Sequence, residues 1–264
     1  MTLHKWCSNN ESLLNNIQNS DDYQFNNPAE MKPVKTLGVL WKPNSGFFSF
    51  KVTISEQHSY TKRSIISDIS RIYDPLVLIG PVVSKAKIFM QRVWLLKLGW
   101  DELLPEDVSR GWIAFVSLLP CIEQLEIPRH FPSDNKVIIH GFADTSTAAY
   151  GAAIYVQSPS SESKSTCLLC SKSRVAPIKP VTIPRLEFCA ALFLSQLTQR
   201  VIKVLNFTIS DTLFRFYHCV SLELTKDFIW RHVPSKENSA DFISRGGIPD
   251  SLQSRIVVEW PFIP

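Results

Sequence analysis

The sequence has no long apolar segment, few cysteines and little net charge. No run of about eighteen apolar residues occurs, and residues 1–16 lack the basic segment followed by an apolar stretch that marks a signal peptide. We therefore expect an intracellular protein, cytoplasmic or nuclear, without a membrane partner. Six cysteines in 264 residues are too sparse for a disulfide framework, so we expect reduced thiols. A formal charge of +4 permits a polyanionic partner but does not require one.

The apolar content is sufficient for a sizeable core, since 45% of the residues are hydrophobic and 20% are charged. Residues 1–33 are rich in Asn, Ser and Asp, and we interpret them as a loose lead-in. Residues 34–54 carry two apolar runs around a Pro-Asn-Ser-Gly turn, which predicts a β-hairpin. Residues 61–127 show apolar spacings of three and four, interrupted by prolines, which predict three helices.

The pattern changes to strands after the proline-bearing link at 127–136. The segment from Pro184 predicts the clearest helix of the chain, with Glu187 in its first turn and an apolar stripe along one side. Together the elements predict an α/β fold. The expected strands are 137–142, 149–156, 167–171, 207–209 and 227–233, followed by a short helix over 237–246.

Three carboxylates stand at the ends of these predicted elements. Asp144 ends the first strand, Glu187 opens the long helix and Asp241 starts the last helix. Such side chains can converge at one edge of a sheet and bind divalent cations through hard oxygen ligands. Each also has a simpler interpretation. Asp144 suits a turn, Glu187 a surface carboxylate favoured by the helix dipole, and Asp241 a capping arrangement with Asn238.

Three ordered motifs carry a resemblance to a known family. They are "VIIHGFADTSTAAYGAAIYV", "CSKSRVAPIKPVTIPRLEF" and "IWRHVPSKENSADFISRG", and they resemble the ribonuclease H segment of Pao/BEL-type LTR retrotransposon polyproteins. The upstream stretches "LHKWCSN", "KTLGVLW", "SIISDISRIYDPLVLIGPVV" and "WDELLP" look like the region between the reverse transcriptase active site and ribonuclease H. The resemblance covers nearly the whole chain, and it implies a ribonuclease H-like mixed sheet with flanking helices, preceded by a mainly helical connection region.

The resemblance also implies a set of metal ligands. Asp144, Glu187 and Asp241 match three of the family's acidic residues, which would hold two Mg²⁺ or Mn²⁺ ions. The fourth, an Asp in a strand end resembling Trp-Thr-Asp-Ser, is where this sequence departs from the pattern. Asp211 in "FTISDTLF" is the local candidate, and either it replaces that ligand or metal binding and hydrolysis are both in doubt.

Basic residues near the predicted site are candidates for nucleic-acid contacts. His232 is a further candidate, either for proton transfer or phosphate binding or for a structural role at a strand end. The basic residues would grip phosphates with an affinity that falls with salt, or else they are solvated loop charges. They are Lys172, Arg174, Lys179, Arg185, Arg231 and Lys236.

Three other activities are disfavoured. Cys167 and Cys170 form half of a zinc site without a second pair at finger-like spacing, which favours packing. Asp144-Thr145-Ser146 lacks the glycine of an aspartic protease motif. The chain has no Tyr-x-Asp-Asp hairpin, which excludes DNA synthesis by this chain alone.

The sequence thus predicts a fragment of a Pao/BEL-like polyprotein. We expect a reverse transcriptase tail and connection region at 34–130, a ribonuclease H-like domain at 137–248 and a C-terminal tail at 249–264. The predicted reaction is metal-dependent hydrolysis of RNA in RNA–DNA hybrids, with other polyprotein segments as further partners. The alternative is a catalytically inactive, decayed or co-opted nucleic-acid-binding or scaffold fragment.

Overall fold

The structure is a computed structural model. It describes residues 34–252 apart from 37–38, 43–44, 55, 73, 76, 129–135, 159–165, 206–207, 217–228 and 235–236. The predicted lead-in at 1–33 and residues 253–264 of the predicted tail lie outside the described residues.

A small antiparallel sheet opens the described chain. Its strands are β1 (Val34–Thr36), β2 (Val39–Lys42), β3 (Phe47–Ser49) and β4 (Ile127–Pro128), paired in that order. The β2–β3 connection contains Gly46 at φ +72°, a conformation that glycine adopts without a steric penalty. This confirms the predicted hairpin, although β3 stops at Ser49, earlier than its alternating pattern indicates.

Three helices follow the hairpin, as predicted. They are α1 (Lys62–Arg71), α2 (Gly80–Leu95) and α3 (Glu106–Val116), and a 3-10 helix covers Leu119–Gln124. Helix α1 begins with a capping box, in which Thr61 and Ser64 exchange side-chain to backbone hydrogen bonds. Fully buried Tyr60, Ile65 and Trp112 belong to the core of this region.

The second sheet has five strands in the order β7-β6-β5-β8-β9. Strands β7, β6 and β5 pair antiparallel, whereas β5, β8 and β9 run parallel. This mixed sheet with its helices confirms the predicted α/β class. The strands are β5 (Lys136–Thr145), β6 (Ala149–Gln157), β7 (Thr166–Val175), β8 (Thr208–Phe216) and β9 (Ile229–His232).

One helix covers each face of this sheet. Helix α4 (Ile183–Val204) packs on the face that carries Ile139 and Ala143, and α5 (Ser239–Arg245) packs on the opposite face beside Phe142. Close approach of α4 requires a glycine, because a Cβ on Gly141 would lie 2.9 Å from the Leu194 Cδ1 atom. The tight packing fixes the height of α4 along the sheet.

The helical region contacts the second sheet directly, mainly through α2, β7 and α5. The Ser171 hydroxyl donates a hydrogen bond to the Val77 carbonyl at 2.5 Å, and the Gln91 amide donates to the Ala176 carbonyl at 2.6 Å. Leu252 is fully buried in the core of the helical region, so the folded part continues at least four residues into the predicted tail. The boundary between 130 and 137 stays a prediction.

Candidate functional site

Asp144 lies at the end of the central strand, as predicted. It pairs with Gly151 on β6, one residue before β5 ends at Thr145. The Ser244 hydroxyl donates a hydrogen bond to Asp144 Oδ2 at 2.5 Å. Ser244 can reach this carboxylate because Gly151 has no side chain, since a Cβ there would lie 2.5 Å from Ile243 Cγ2. Gly151 on β6 therefore allows α5 to pack against Asp144 on the neighbouring strand β5.

Asp241 lies in the first turn of α5, close enough for its charge to act on Asp144. Asn238 caps this helix by accepting from the Ala240 N–H at 3.1 Å, and its amide donates to the Ala143 carbonyl at 2.9 Å. The cap therefore ties the helix start to the end of β5. Asp241 Oδ1 accepts from Arg245 Nε at 2.6 Å, one turn further along. Asn238 is therefore the cap of this helix, while the role of Asp241 as a metal ligand stays a prediction.

The electrostatics of this pair favour a cation. Burial, and after it the negative charge of Asp241, raise the pKa of Asp144 to about 6, against the lowering effects of the Ser244 hydrogen bond and the Arg245 charge. Two carboxylates that repel each other in a half-buried site are stabilised by a bound positive ion. We call Asp144 and Asp241 the carboxylate pair.

Glu187 lies in the second turn of α4, not in the first as predicted, because the helix begins at Ile183. Helix α4 runs from the end of β7, beside Ala149, to the start of β8, beside Lys136. Leu194 is level with Gly141. Glu187 lies seven helical residues before Leu194, and Asp144 lies three strand residues after Gly141. Each of these separations is roughly 10 Å in the same direction. Glu187 and Asp144 are therefore level with each other, on opposite faces of the sheet.

Asp211 is not brought to the site. It pairs with Ile138 near the start of β5, six residues before Asp144. At about 3.3 Å per residue, the two positions are roughly 20 Å apart along the sheet. Of the two alternatives left open for Asp211, this placement disfavours replacement of the missing ligand, because parallel strands place the start of β8 at the end of the sheet opposite Asp144. Within the described ranges, no three His, Cys, Asp or Glu residues form a group that could hold a metal ion.

His232 ends β9, where it pairs with Phe216, and its side chain is exposed. It lies two strands away from β5 in the sheet order. Its catalytic role stays a prediction.

The predicted basic residues are spread over three elements. Lys172 and Arg174 on β7 lie over the Phe193 ring of α4, at 5.9 Å and 5.2 Å from the ring centroid. Lys179 and Arg185 are exposed before α4 and in its first turn, while Arg231 is exposed on β9. Lys236 lies outside the described residues. The positions around α4 stand at the same sheet end as Glu187.

Sequence reasoning missed three residues that shape the site. Ser244 and Arg245 position or neutralise the carboxylate pair. The third is Arg215, a basic residue buried on β8. The i, i+4 spacing of Asp241 and Arg245 was a readable signal, whereas the contact from Ser244 to Asp144 depends on tertiary packing.

Comparison with known proteins gives one family match. A family model described as "Pao retrotransposon-like RNaseH-like domain" matches residues 61–216, which is more than half of the chain. No curated protein matches. In the described ranges, no helix has the length and apolar character needed to cross a membrane.

Three of the solved structures that match this chain do so at low identity. The foamy viral protease-reverse transcriptase dRH in complex with ds DNA matches at 8% identity and a TM-score of 0.45, covering 76% of this chain and 38% of that chain. The foamy viral protease-reverse transcriptase in complex with dsDNA matches at 12% identity and a TM-score of 0.24, covering 76% and 44%. LC11-RNase H1 in complex with an RNA/DNA hybrid matches at 14% identity and a TM-score of 0.28, covering 44% and 99%. The chain thus spans less than half of the two foamy viral chains.

Proposed function

Because the chain belongs to the family of Pao retrotransposon-like RNaseH-like domains, we propose that it hydrolyses the RNA strand of RNA–DNA hybrids with a divalent metal ion. The observation that carries this proposal is the carboxylate pair. Asp144 ends the central strand of the sheet, and Asp241 on α5 is close enough to raise the pKa of Asp144. A retroelement ribonuclease H-like domain with two coupled carboxylates at this sheet end is suited to cation-dependent phosphodiester chemistry.

The donor set fits a hard cation such as Mg²⁺ or Mn²⁺. Asp144 and Asp241 offer carboxylate oxygens, the ligand type that these ions prefer. Glu187 is level with Asp144 but lies on the opposite face of the sheet, so it does not belong to the carboxylate pair; we propose it as the ligand that would approach a second ion at this end of the sheet. When bound, the ions would supply positive charge that activates water and stabilises the leaving oxygen. Ser244 holds Asp144 Oδ2 in place, so the carboxylate stays oriented whether or not an ion is bound.

The basic residues around α4 suit the backbone of a nucleic acid. Lys172 and Arg174 make cation–π contacts with the Phe193 ring, and these contacts restrict the two long side chains before a phosphate binds. Lys179 and Arg185 extend the same surface toward Glu187. We propose that this surface contacts phosphates and sugars and reads the shape of the hybrid with little base specificity.

The alternative function is hybrid binding without turnover. Two observations favour it. Asp211 is remote from Asp144, and Arg245 already neutralises part of the charge on Asp241. In this case the chain would be a decayed or co-opted binding fragment that keeps its sheet. For both candidate functions, residues 34–130 would serve as the reverse transcriptase tail and connection region that leads into the sheet.

Cleavage of an end-labelled RNA–DNA hybrid in Mg²⁺ or Mn²⁺ tests the proposal. Asp144→Asn removes a ligand charge and should abolish cleavage, whereas Asp211→Asn removes the same charge roughly 20 Å away and should leave the rate unchanged. Glu187→Gln should slow cleavage strongly. If the folded wild-type protein binds the hybrid but cleaves no RNA at any metal concentration, the binding alternative is correct.

A further inference from the structure

Arg215 occupies an unusual position for an arginine. It lies on β8, directly between Phe142 on β5 and Arg231 on β9, with all three residues in register across the parallel strands. Its side chain is on the same face as Asp144, since it lies over the Phe142 ring at 5.6 Å from the centroid. The relative exposure of Arg215 is only 7%, whereas its neighbour Arg231 is exposed.

The charge of Arg215 is poorly compensated. Burial is the main cause that lowers its pKa, and the like charge of Arg231 lowers it further, while Glu237 acts in the opposite direction. Within the described part of the chain, Arg215 forms no ion pair with a carboxylate. Two neighbouring guanidinium groups repel each other unless an anion is bound to both. The arrangement is therefore better explained by a ligand than by stability.

The neighbouring histidine does not add to this charge. His140 lies on the same face of β5, and its Nε2 atom is hydrogen-bonded to Gln157 Oε1 at 2.8 Å. Burial, and after it the charges of Arg215 and Arg231, lower its pKa to about 4, against the effect of the Gln157 hydrogen bond. At neutral pH the imidazole is uncharged, so the two arginines supply the local positive charge.

We propose that Arg215 and Arg231 form a subsite for a backbone phosphate of the bound nucleic acid. This inference rests on the proposed function, because it assumes that a nucleic acid lies across the carboxylate pair. Arg215 is one strand over and two residues back from Asp144, a separation of roughly 8 Å between the two Cα positions. The subsite therefore takes a phosphate next to the one at the carboxylate pair, and the planar guanidinium forks bind its oxygens in bidentate fashion.

Hybrid binding without catalysis tests the subsite. A fluorescently labelled RNA–DNA hybrid is titrated with protein in EDTA over a series of salt concentrations, and its anisotropy gives the binding constant. Arg215→Met removes the charge and keeps a long unbranched side chain at this buried position, and Arg231→Gln changes an exposed side chain. Each variant should weaken binding several-fold at low salt and reduce the slope of log K against log salt by about 1. Arg200→Gln, an exposed position on α4 toward the other end of the sheet, is the matched control and should leave both unchanged.

A second titration identifies the ligand as a phosphate. The hybrids carry a single neutral methylphosphonate at successive positions. At one position Arg231→Gln should bind as well as the wild-type protein does, because the charged phosphate that only the wild-type protein contacts has been removed. Thermal unfolding identifies any variant that fails to fold, and Arg231→Gln alone then decides the outcome. Wild-type binding with unchanged slopes in both variants would overturn the subsite and leave the proposed function intact. A wild-type protein that binds no hybrid would overturn both.

Discussion

The carboxylate pair should be a source of instability that depends on pH. The pKa of Asp144 is raised to about 6 in the folded protein, from an ordinary value of 3.8. A group whose pKa is raised by folding binds its proton more tightly in the folded state, so the stability of the protein falls as the pH rises from about 4 to about 6. Above that window the loss is complete. Replacing Asp144 by the neutral isostere Asn removes the ionisation and with it the loss.

The magnitude follows from the shift. About two pKa units correspond to roughly 3 kcal/mol, and because Asp144 is only half-buried we expect Asp144→Asn to gain about 1–3 kcal/mol at about pH 8. At about pH 4 the gain should fall below about 1 kcal/mol, since the carboxyl is then protonated in the folded wild-type protein. Asp74, whose pKa burial also raises to about 6, is present in both proteins, so its contribution cancels.

Urea unfolding in EDTA at the two pH values measures the difference, and EDTA removes stabilisation by bound metal. Asp211→Asn is the control, because it removes the same charge at an exposed position remote from the carboxylate pair, and it should not reproduce the gain. If Asp144→Asn is no more stable than the wild-type protein at about pH 8, the reasoning on the carboxylate pair is refuted.

Three further substitutions test the packing around the site, each by urea unfolding. Gly141→Ala should destabilise the protein by about 1–3 kcal/mol, because the new Cβ would lie 2.9 Å from Leu194; a wild-type midpoint would mean that α4 is not held at that height. Trp112→Phe removes the indole hydrogen bond to buried Asp68 at 3.2 Å and should cost about 1–3 kcal/mol, and no cost would show that Asp68 is satisfied by another group. Asn238→Ala removes the cap of α5 and should cost about 1–2 kcal/mol while also lowering cleavage, and retention of both would contradict the positioning role of the cap.

The strands with clear patterns were predictable from the sequence. The alternation and turn residues of 137–156 indicate two strands, and both are found with slightly longer bounds. Strand β7 continues to Val175, beyond the predicted Ser171, because Lys172 and Arg174 extend the pairing while their charged ends lie over Phe193. A prediction from local polarity alone assigns charged residues such as these to a loop.

The parallel half of the sheet was harder to predict. Strand β8 reaches Phe216, whereas the prediction ended at Ile209, because the polar run Ser210-Asp211-Thr212 interrupts the apolar pattern. The position of Asp211 could not be read from its neighbours. The register between the parallel strands β5 and β8 depends on how the crossover helix α4 packs on the sheet. This is a long-range feature without a local signal in the sequence. The contact of Ser244 with Asp144 escaped prediction for the same reason.

The most direct test of the central claim is the affinity of the protein for Mn²⁺, measured by electron paramagnetic resonance as a function of pH. The account predicts that a site involving Asp144 tightens about tenfold per pH unit up to about pH 6 and then levels off, because the metal competes with the proton on that carboxyl. It also predicts that the site disappears in Asp144→Asn and persists in Asp211→Asn. Binding that is independent of pH, or equally strong in Asp144→Asn, would contradict the assignment of the carboxylate pair as the metal site.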